Sequence, residues 1–308
     1  MTLKTQALNI ICAGECMLEL RSQEDKFISS YAGDVINFAV YLKRLLPTSS
    51  VQFLSAVGTD SSSENMRQFL AKEGIDTKLI SSSPNKTIGL YMIETDANGE
   101  RTFNYWRSDS AARRMMELTD YDALKAASQD SQYFFFSGIS LAILHSESRD
   151  RLFDLVQDLR AAGKKIIFDP NYRATLWPSV DIARTEIGRA YNTADILLSS
   201  YEDEQLLFGT ASKKKCIERL KQFSIDEVVM TDGAEETTAI LNGKEYSQTP
   251  EKTNCVIDTT AAGDSFKAGY LAARHNGAMP DIAMAKASKL SAVVVGYAGA
   301  IIAPSLMP

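Results

Sequence analysis

The fold of this chain is decided near its C-terminus by the stretch Asp258-Thr-Thr-Ala-Ala-Gly-Asp-Ser-Phe266. The extended apolar residues 255–257 precede it, and Phe266, Tyr270 and Leu271 recur after it at helical spacing. This pattern predicts a strand, a tight turn of small residues and the start of a helix. The first amides of a helix have no internal partner and carry partial positive charge, so such a turn lets an anion approach the backbone.

Asp264 stands at the start of the predicted helix, where a carboxylate has two interpretations. It caps the helix by accepting hydrogen bonds from backbone amides, which is common at this position. Alternatively, it is a general base beside a phosphate cradle and takes the proton from an attacking hydroxyl. The chain contains no Walker sequence Gly-x-x-x-x-Gly-Lys-Ser/Thr, so a P-loop does not supply the cradle.

Length and composition restrict the class of protein. A chain of 308 residues fits one large α/β domain or two small ones. Its 45% of hydrophobic and 23% of charged residues are ordinary for a globular protein with a large core. The formal net charge of −6 argues against nucleic acid and against an anionic membrane surface as partners.

The N-terminus lacks the long apolar region of a signal peptide, and no uncharged apolar run reaches the roughly 18 residues of a membrane span. A cytoplasmic location is therefore expected. The four cysteines form no Cys-x-x-Cys pair and the chain has only two histidines, which favours reduced structural thiols over a zinc site. The cysteines are Cys12, Cys16, Cys216 and Cys255.

The first part of the chain predicts strands and helices in alternation. Residues 9–14 are typical of a buried strand, and residues 15–21 continue extended with alternating polar and apolar positions. A helix is predicted to open at Asp34. A second strand at 51–57 precedes a helix at 63–72.

Residues 87–107 have a different pattern. The β-rich runs 88–94 and 101–107 are joined through the turn 96–99, which contains Asn-Gly and predicts a hairpin. The aromatic density favours a sheet lying over a ligand or against another subunit. Packing in the core is the alternative for the individual side chains. These are Tyr91, Phe103 and Trp106.

From residue 120 onward strands and helices alternate. This alternation predicts parallel strands with helices on both faces and ligands at the carboxyl ends of the strands. We therefore predict one α/β domain spanning residues 1–308, with a mostly parallel central sheet. A small β-sheet lid is predicted from two insertions, at about 14–32 and 87–108. The predicted strands are 133–138, 165–169, 196–199, 227–231 and 237–241, and the helices are 148–162, 180–192, 202–208 and 213–223.

Residues 258–264 resemble the Asp-Thr-x-Gly-Ala-Gly-Asp signature of the ribokinase-like (PfkB) carbohydrate kinases. The resemblance implies a three-layer ribokinase-like fold with Asp264 as the catalytic base. It also implies that the amides of Ala261, Ala262, Gly263 and Asp264 form an anion hole for the transferred phosphoryl group. Ala261 stands where most of the family has Gly, and we expect the hole to survive with a negative φ at Ala261.

Two further segments resemble family motifs around the sugar and the nucleotide. Gly33-x-x-x-Asn37 is similar to the motif whose Gly and Asn bind sugar hydroxyls, and Asp34 is a further acceptor in the same turn. A helix N-terminus without a ligand is the alternative. Thr231-Asp-Gly233 resembles the family's Thr-x-Gly-x-x-Gly segment near the nucleotide, with Glu236 in place of the last Gly. A plain β-turn is the alternative there.

Ser200-Tyr-Glu-Asp203 occupies the place of the family's Asn-x-x-Glu motif, which organises magnesium. The resemblance implies that Ser200 lies near the nucleotide and that Asp203, or its neighbour Glu204, reaches the metal. The alternative is that these acids begin the predicted helix 202–208, where negative charge suits the helix dipole.

Two arginines bear on the class of substrate. Arg107 lies on the predicted lid beside Tyr105, and Arg173 follows Asn171 after the carboxyl end of a predicted strand. Two guanidinium groups suit a sugar that carries a carboxylate, because forked and permanently charged donors satisfy that group best. An ion pair at the surface or between elements is the alternative for either arginine.

Blocks across nearly the whole chain resemble the members of the family that phosphorylate the 6-hydroxyl of 2-keto-3-deoxygluconate with ATP. The most specific blocks are Tyr105-Trp-Arg107 and Asn171-Tyr-Arg173. The resemblance implies contacts with the sugar acid from the residues Gly33, Tyr91, Tyr105, Arg107, Arg173 and Asp264.

ATP and Mg²⁺ are the expected cofactors, with a monovalent cation as a further candidate. The expected partners are a small sugar acid and ATP, with a homodimer or dimer-based homo-oligomer formed through the β lid. Three rivals stay open. They are a kinase of the same fold for a neutral sugar or 5-keto-2-deoxygluconate, a sugar-acid sensor without catalysis, and a nicotinamide-dependent oxidoreductase. No Gly-x-Gly-x-x-Gly follows the first predicted strand, as the oxidoreductase would require.

Overall fold

The computed structural model describes residues 7–23, 26–95, 101–251, 253 and 256–308. The strands in chain order are β1 Asn9–Ala13, β2 Met17–Gln23, β3 Lys26–Ala32, β4 Ser50–Val57, β5 Ile80–Ser82, β6 Gly89–Thr95, β7 Arg101–Trp106, β8 Tyr133–Ser137, β9 Lys165–Asp169, β10 Ile196–Ser200, β11 Glu227–Thr231, β12 Thr237–Leu241 and β13 Lys244–Gln248. The helices are α1 Asp34–Leu45, α2 Ser61–Lys72, α3 Met115–Leu118, α4 Tyr121–Asp130, α5 Gly138–Ile143, α6 Ser146–Ala161, α7 Val180–Thr193, α8 Tyr201–Phe208, α9 Lys213–Leu220, α10 Ala262–His275 and α11 Pro280–Val294.

A nine-stranded sheet forms the centre of the molecule, in the order β13-β12-β11-β10-β9-β8-β1-β4-β5. All neighbouring pairs from β11 to β5 are parallel, and β12 and β13 are antiparallel at one end. The prediction of a mostly parallel sheet is therefore confirmed. Parallel strands end at one edge, so the loops after β1, β9, β10 and β11 converge there.

Helices cover both faces of the large sheet because successive side chains of a strand point to opposite sides. Ile10 and Cys12 of β1 belong to a core with α1, α2, α10 and α11, whereas Ile11 and Ala13 belong to a second core with α3 to α9. The predicted three-layer arrangement is thus confirmed. Cys12, Cys16 and Cys216 are buried free thiols, as predicted, and Cys255 lies outside the described residues.

A separate four-stranded sheet has the order β3-β2-β6-β7 and is built from two segments of the chain. The predicted hairpin is confirmed, because β6 and β7 pair antiparallel with Leu90 opposite Trp106. The predicted turn at 96–99 lies outside the described residues. The strands on either side of it end at Thr95 and begin at Arg101. Across the described ranges, no helix combines the length and apolar character needed to cross a membrane.

The strand predicted before Asp258 is wrong for the residues that can be examined. Val256 and Ile257 are in no strand and are more than half exposed, while Cys255 lies outside the described residues. The amides of Ile257 and Asp258 both donate to the carbonyl of Val295, at 2.8 and 3.1 Å. An apolar triplet predicts a strand by its local pattern, but here the segment is fixed by the loop after α11.

Candidate active site

A cavity of about 510 Å³ lies between the small sheet and the converging carboxyl ends of the large sheet. Its walls come from β2, β6 and β7 on one side and from the N-termini of α1 and α10 on the other. The site residues predicted from the sequence that line it are Gly33, Asp34, Asn37, Tyr91, Tyr105, Arg107, Asn171, Arg173, Ser200, Asp203, Thr231, Ala261, Ala262, Gly263 and Asp264. Two predicted residues, Gly233 and Glu204, do not line it.

The anion turn, residues 259–264, leads into the 14-residue helix α10. Asp258 anchors this turn, because its carboxylate accepts hydrogen bonds from the amides of Thr260 at 2.8 Å and Gly299 at 2.9 Å. Within the described chain, the amides of Gly263 and Asp264 have no intramolecular acceptor, as expected for the first turn of a helix. These two donors border the cavity and can hold an anion.

Ala261 does not have the negative φ that was expected from the sequence, so that prediction is wrong. Its φ is +59° and its ψ is 14°, so it adopts the left-handed conformation at the residue before α10. That conformation turns the chain sharply into the helix and directs the following amides toward the cavity. A side chain with a Cβ pays roughly 1–2 kcal/mol for it, which the surrounding packing must offset.

Asp264 is held by α1 as well as by its own helix. Its Oδ2 accepts a hydrogen bond of 2.8 Å from Nδ2 of Asn37. Burial raises the pKa of the Asp264 carboxyl to about 7, with the charges of Asp34 and Asp169 adding to the rise and Lys267 opposing it. A carboxylate with a pKa near neutrality is suited to act as a general base.

The N-terminus of α1 lies against the end of β1 because position 33 has no side chain. A Cβ on Gly33 would stand 2.3 Å from the carbonyl oxygen of Glu15. This close approach brings Asp34 and Asn37 to the cavity. Asn171, from the loop after β9, donates from Nδ2 to Oδ2 of Asp34 at 2.8 Å. Amide and carboxylate groups therefore alternate along this wall.

The wall formed by the small sheet is aromatic with buried charge behind it. Tyr91 stacks on Tyr105 with ring centroids 5.7 Å apart, and the Tyr91 hydroxyl donates to Glu19. Arg107 is 92% buried and forms an ion pair with Glu15. Glu15 also accepts a hydrogen bond of 2.5 Å from the Ser110 hydroxyl. Nε of Arg107 is buried without a hydrogen-bond partner.

The residues after β9 and β10 add a mixed group of charges to the cavity wall. Nη1 of Arg173 lies 3.5 Å from Asp203, and its side chain is about half exposed. Asp203 also accepts from the Tyr172 amide at 3.0 Å and the Ser200 hydroxyl at 2.7 Å. Ser200 in turn caps α8 by accepting from the Asp203 amide. Thr231 ends β11 at the same edge.

The structure separates the two acids proposed for the metal. Glu204 is fully buried away from the cavity and is held by Arg219, by the Tyr191 hydroxyl at 2.5 Å and by Ser199. Only Asp203 faces the cavity. In the described ranges, no group of three His, Cys, Asp or Glu side chains is placed to hold a metal ion. One carboxylate still fits Mg²⁺, which keeps waters and binds substrate phosphates for its other positions.

Three residues of the cavity region were not singled out from the sequence: Glu15, Asp169 and Lys267. Lys267 lies three residues after Asp264, a spacing that places both side chains on one face of a helix. Asp169 ends the parallel strand β9, and Glu15 lies two residues after the end of β1. Those positions could have indicated them. Gly233, in contrast, has a φ of +56°, and a Cβ built on it would have nothing within 4 Å, as in an ordinary exposed turn.

The chain is similar to known proteins over almost its full length. Residues 7–306 match the profile described as pfkB family carbohydrate kinase. A 2-dehydro-3-deoxygluconokinase from Dickeya dadantii is 40% identical over 97% of this chain and 98% of its own. The structure of 2-dehydro-3-deoxygluconokinase from Thermotoga maritima has a TM-score of 0.85 at 21% identity, covering 96% of this chain and 95% of that one. A fructokinase from Xylella fastidiosa with bound ATP has a TM-score of 0.83 at 24% identity, covering 97% and 95%.

Proposed function

The chain belongs to the pfkB family of carbohydrate kinases, and from that premise we propose that it phosphorylates 2-keto-3-deoxygluconate, also called 2-dehydro-3-deoxygluconate. The γ-phosphoryl group of ATP passes to the 6-hydroxyl, giving the 6-phosphate and ADP. The observation that carries the proposal is one cavity that joins a candidate base, free helix amides and a buried arginine. They are Asp264, the Gly263 and Asp264 amides, and Arg107.

Asp264 is the general base of this reaction. Its carboxylate, held by Asn37 at 2.8 Å, takes the proton from the 6-hydroxyl as the oxygen attacks phosphorus. The amides of the anion turn then hold the charge that builds on the transferred group. Both act without moving, because the turn is fixed by Asp258 and the carboxylate is fixed by α1.

The acid end of the substrate meets the arginines. Arg107 neutralises Glu15 and also lines the cavity, so its guanidinium can attract the substrate carboxylate. Arg173 lines the same cavity, is half exposed and adds a second cation. Hydroxyls of the sugar bind the other polar groups of the cavity wall, in keeping with the implied contacts. These groups are Gly33, Asp34, Asn37, Tyr91, Tyr105 and Asn171.

ATP lies along the ends of β10 and β11, where Ser200 and Thr231 border the cavity and Gly233 follows them. Magnesium bound to ATP neutralises phosphate charge, and Asp203 would hold it from the protein side. A monovalent cation is a further candidate, tested by comparing rates in potassium and sodium salts. We place the enzyme in the cytoplasm, where ATP is available.

We propose one catalytic domain, with the small sheet as a lid that excludes water during transfer. Its face away from the cavity is apolar, because Leu18, Leu90 and Trp106 are cross-strand neighbours. Phe27 on the same face is 62% exposed and Trp106 is 58% exposed. A second copy of the chain would cover this face. Light scattering should give a dimeric mass that falls on changing Trp106→Lys, and a monomeric wild type would refute it.

A coupled assay of ADP release tests the proposed activity. The panel contains 2-keto-3-deoxygluconate, its galactonate epimer, 5-keto-2-deoxygluconate, fructose and ribose. We expect kcat/KM for 2-keto-3-deoxygluconate to exceed that for fructose by at least about 10²-fold, since a neutral sugar has no carboxylate for Arg107 and Arg173 to bind. A preference for fructose or ribose would identify a neutral-sugar kinase instead. ADP release from none of the compounds would indicate a sensor without catalysis.

A further inference from the structure

Lys267 is a buried cation in the wall of the cavity that the reaction described above does not use. It lies on α10 one turn after Asp264, with only 8% of its surface exposed. Its Nζ donates to Oδ2 of Asp169 at 2.5 Å, and Asp169 is itself 99% buried at the end of β9. Burial of a charge is costly unless it is paired, so this lysine occupies a place that packing alone would not favour.

The Lys267 ammonium also borders the anion turn. A Cβ built on Gly263 would stand 3.8 Å from Nζ, with no other neighbour closer. The cation is therefore on the side of the helix N-terminus that faces the cavity. Gly263 leaves that space open, and a larger side chain there would stand between the ammonium and the cavity.

The other cations of the described cavity wall pair with carboxylates other than Asp264. Arg107 pairs with Glu15, and Arg173 is half exposed beside Asp203. The charged and titratable groups that act on Asp264 come from three elements packed around it. They are Asp34 and Tyr41 of α1, Asp169 of β9 and Lys267 of α10, with Asp203 of α8 acting on Asp169 and Lys267.

We propose that Lys267 is a positioning residue for phosphoryl transfer: anchored by Asp169, its ammonium keeps the base Asp264 ionised beside the anion turn. The inference rests on the proposed kinase activity. The carboxylates of Asp34 and Asp169 act on this base, and without a nearby cation their combined charge would favour its protonated form. A protonated Asp264 cannot accept the proton of the 6-hydroxyl.

The protonation balance agrees with this geometry. Among the charges around Asp264, that of Lys267 lowers its pKa and those of Asp34 and Asp169 raise it. Burial lowers the pKa of Lys267, but the carboxylates of Asp169 and Asp264 outweigh burial and raise it overall. The lysine therefore stays charged while the aspartate titrates near pH 7.

The test compares pH profiles of kcat/KM for Lys267→Met, for the double variant Lys267→Met/Asp169→Asn and for the wild type. An opposite charge at close range is worth about one pKa unit or more, so the acidic limb of Lys267→Met should move upward by about one unit. Its defect should be roughly fivefold at pH 7 and below about twofold at pH 9. The double variant leaves no unpaired buried carboxylate and should keep part of the shift.

Arg274→Met is the matched control. Arg274 lies on the same helix, about 15 Å from Asp264 along the helix axis, and pairs with the buried Glu227 at 2.7 Å. Losing this pair should lower stability without moving the acidic limb. A defect of Lys267→Met that is constant between pH 7 and pH 9, or a double variant with the wild-type profile, would reduce Lys267 to a structural partner of Asp169.

A readout independent of activity separates this inference from the proposed function. The ¹³C carboxyl signal of Asp264, identified by its loss in Asp264→Asn, is titrated in the wild type and in Lys267→Met. A higher midpoint in the variant supports the role of Lys267. An unchanged midpoint overturns it, whether or not the wild-type protein releases ADP, whereas an inactive wild type overturns the kinase proposal alone.

Discussion

Gly33→Ala is the substitution whose consequence follows most directly from the geometry. The new Cβ would stand 2.3 Å from the carbonyl oxygen of Glu15, about 1 Å inside a normal contact. The clashing atom belongs to the backbone between β1 and β2, and Gly33 directly precedes α1, so relief requires α1 to move. The shift would carry Asn37 away from Asp264, to which it is now bonded at 2.8 Å. Overpacking of this kind typically costs about 1–3 kcal/mol of stability.

Activity should fall further than stability, because misplacement of a catalytic group by about 1 Å can cost on the order of 10²-fold in rate. Gly188→Ala is the matched control, since Gly188 lies inside α7 with nothing within 4 Å of a new Cβ. The same change should stabilise the protein there by about 0.5–1 kcal/mol and leave kcat unchanged. Urea unfolding and steady-state kinetics measure both. Gly33→Ala with wild-type kcat and stability would refute the close-packing argument.

Three further changes test separate parts of the site. Ala261→Gly should keep full activity and change the free energy of unfolding by less than about 1 kcal/mol. Ala261→Val should lower the free energy of unfolding by roughly 2 kcal/mol, since a branched side chain is poorly tolerated at positive φ. Urea unfolding measures both, and equal effects would argue against the left-handed turn. The double variant Arg107→Met/Glu15→Gln removes both members of the buried ion pair. It should lower kcat/KM for the sugar acid by about 30-fold or more and leave turnover of fructose unaffected. An equal loss on both sugars would show that Arg107 does not recognise the acid group. Asp264→Asn should stabilise the fold more at pH 8 than at pH 5, because a pKa raised to about 7 gives stability that is lost as pH rises through that value; thermal midpoints at the two pH values measure it, and a pH-independent difference would contradict it.

The layers of the fold could be predicted from the sequence because they depend on local periodicity. Residues 134–136 and 166–168 are continuously apolar, as strands covered on both faces require, and they lie in the central strands β8 and β9. The hairpin was predictable from its turn signal and is paired as expected. Residues 255–257 carry a similar apolar signal, but Ile257 is in no strand and its amide donates to the carbonyl of Val295.

The details of the site depend on contacts between distant parts of the chain, which no local pattern encodes. The sequence suggested arginines for the acid but not that Glu15, 92 residues before Arg107, already pairs with one of them. Ala261 was expected at negative φ because alanine prefers it, and the turn into α10 imposes the opposite. Asp203 and Glu204 are adjacent in sequence, yet helical geometry sends their carboxylates to different sides of α8.

The most direct test of the account is turnover by Asp264→Asn, assayed as ADP release with 2-keto-3-deoxygluconate and MgATP at pH 8. Asparagine keeps the shape of the side chain but cannot accept the proton, so kcat should fall by roughly 10²-fold or more while both substrates still bind in calorimetry. Turnover within a fewfold of the wild type would show that the base is elsewhere and would contradict the assignment of this cavity.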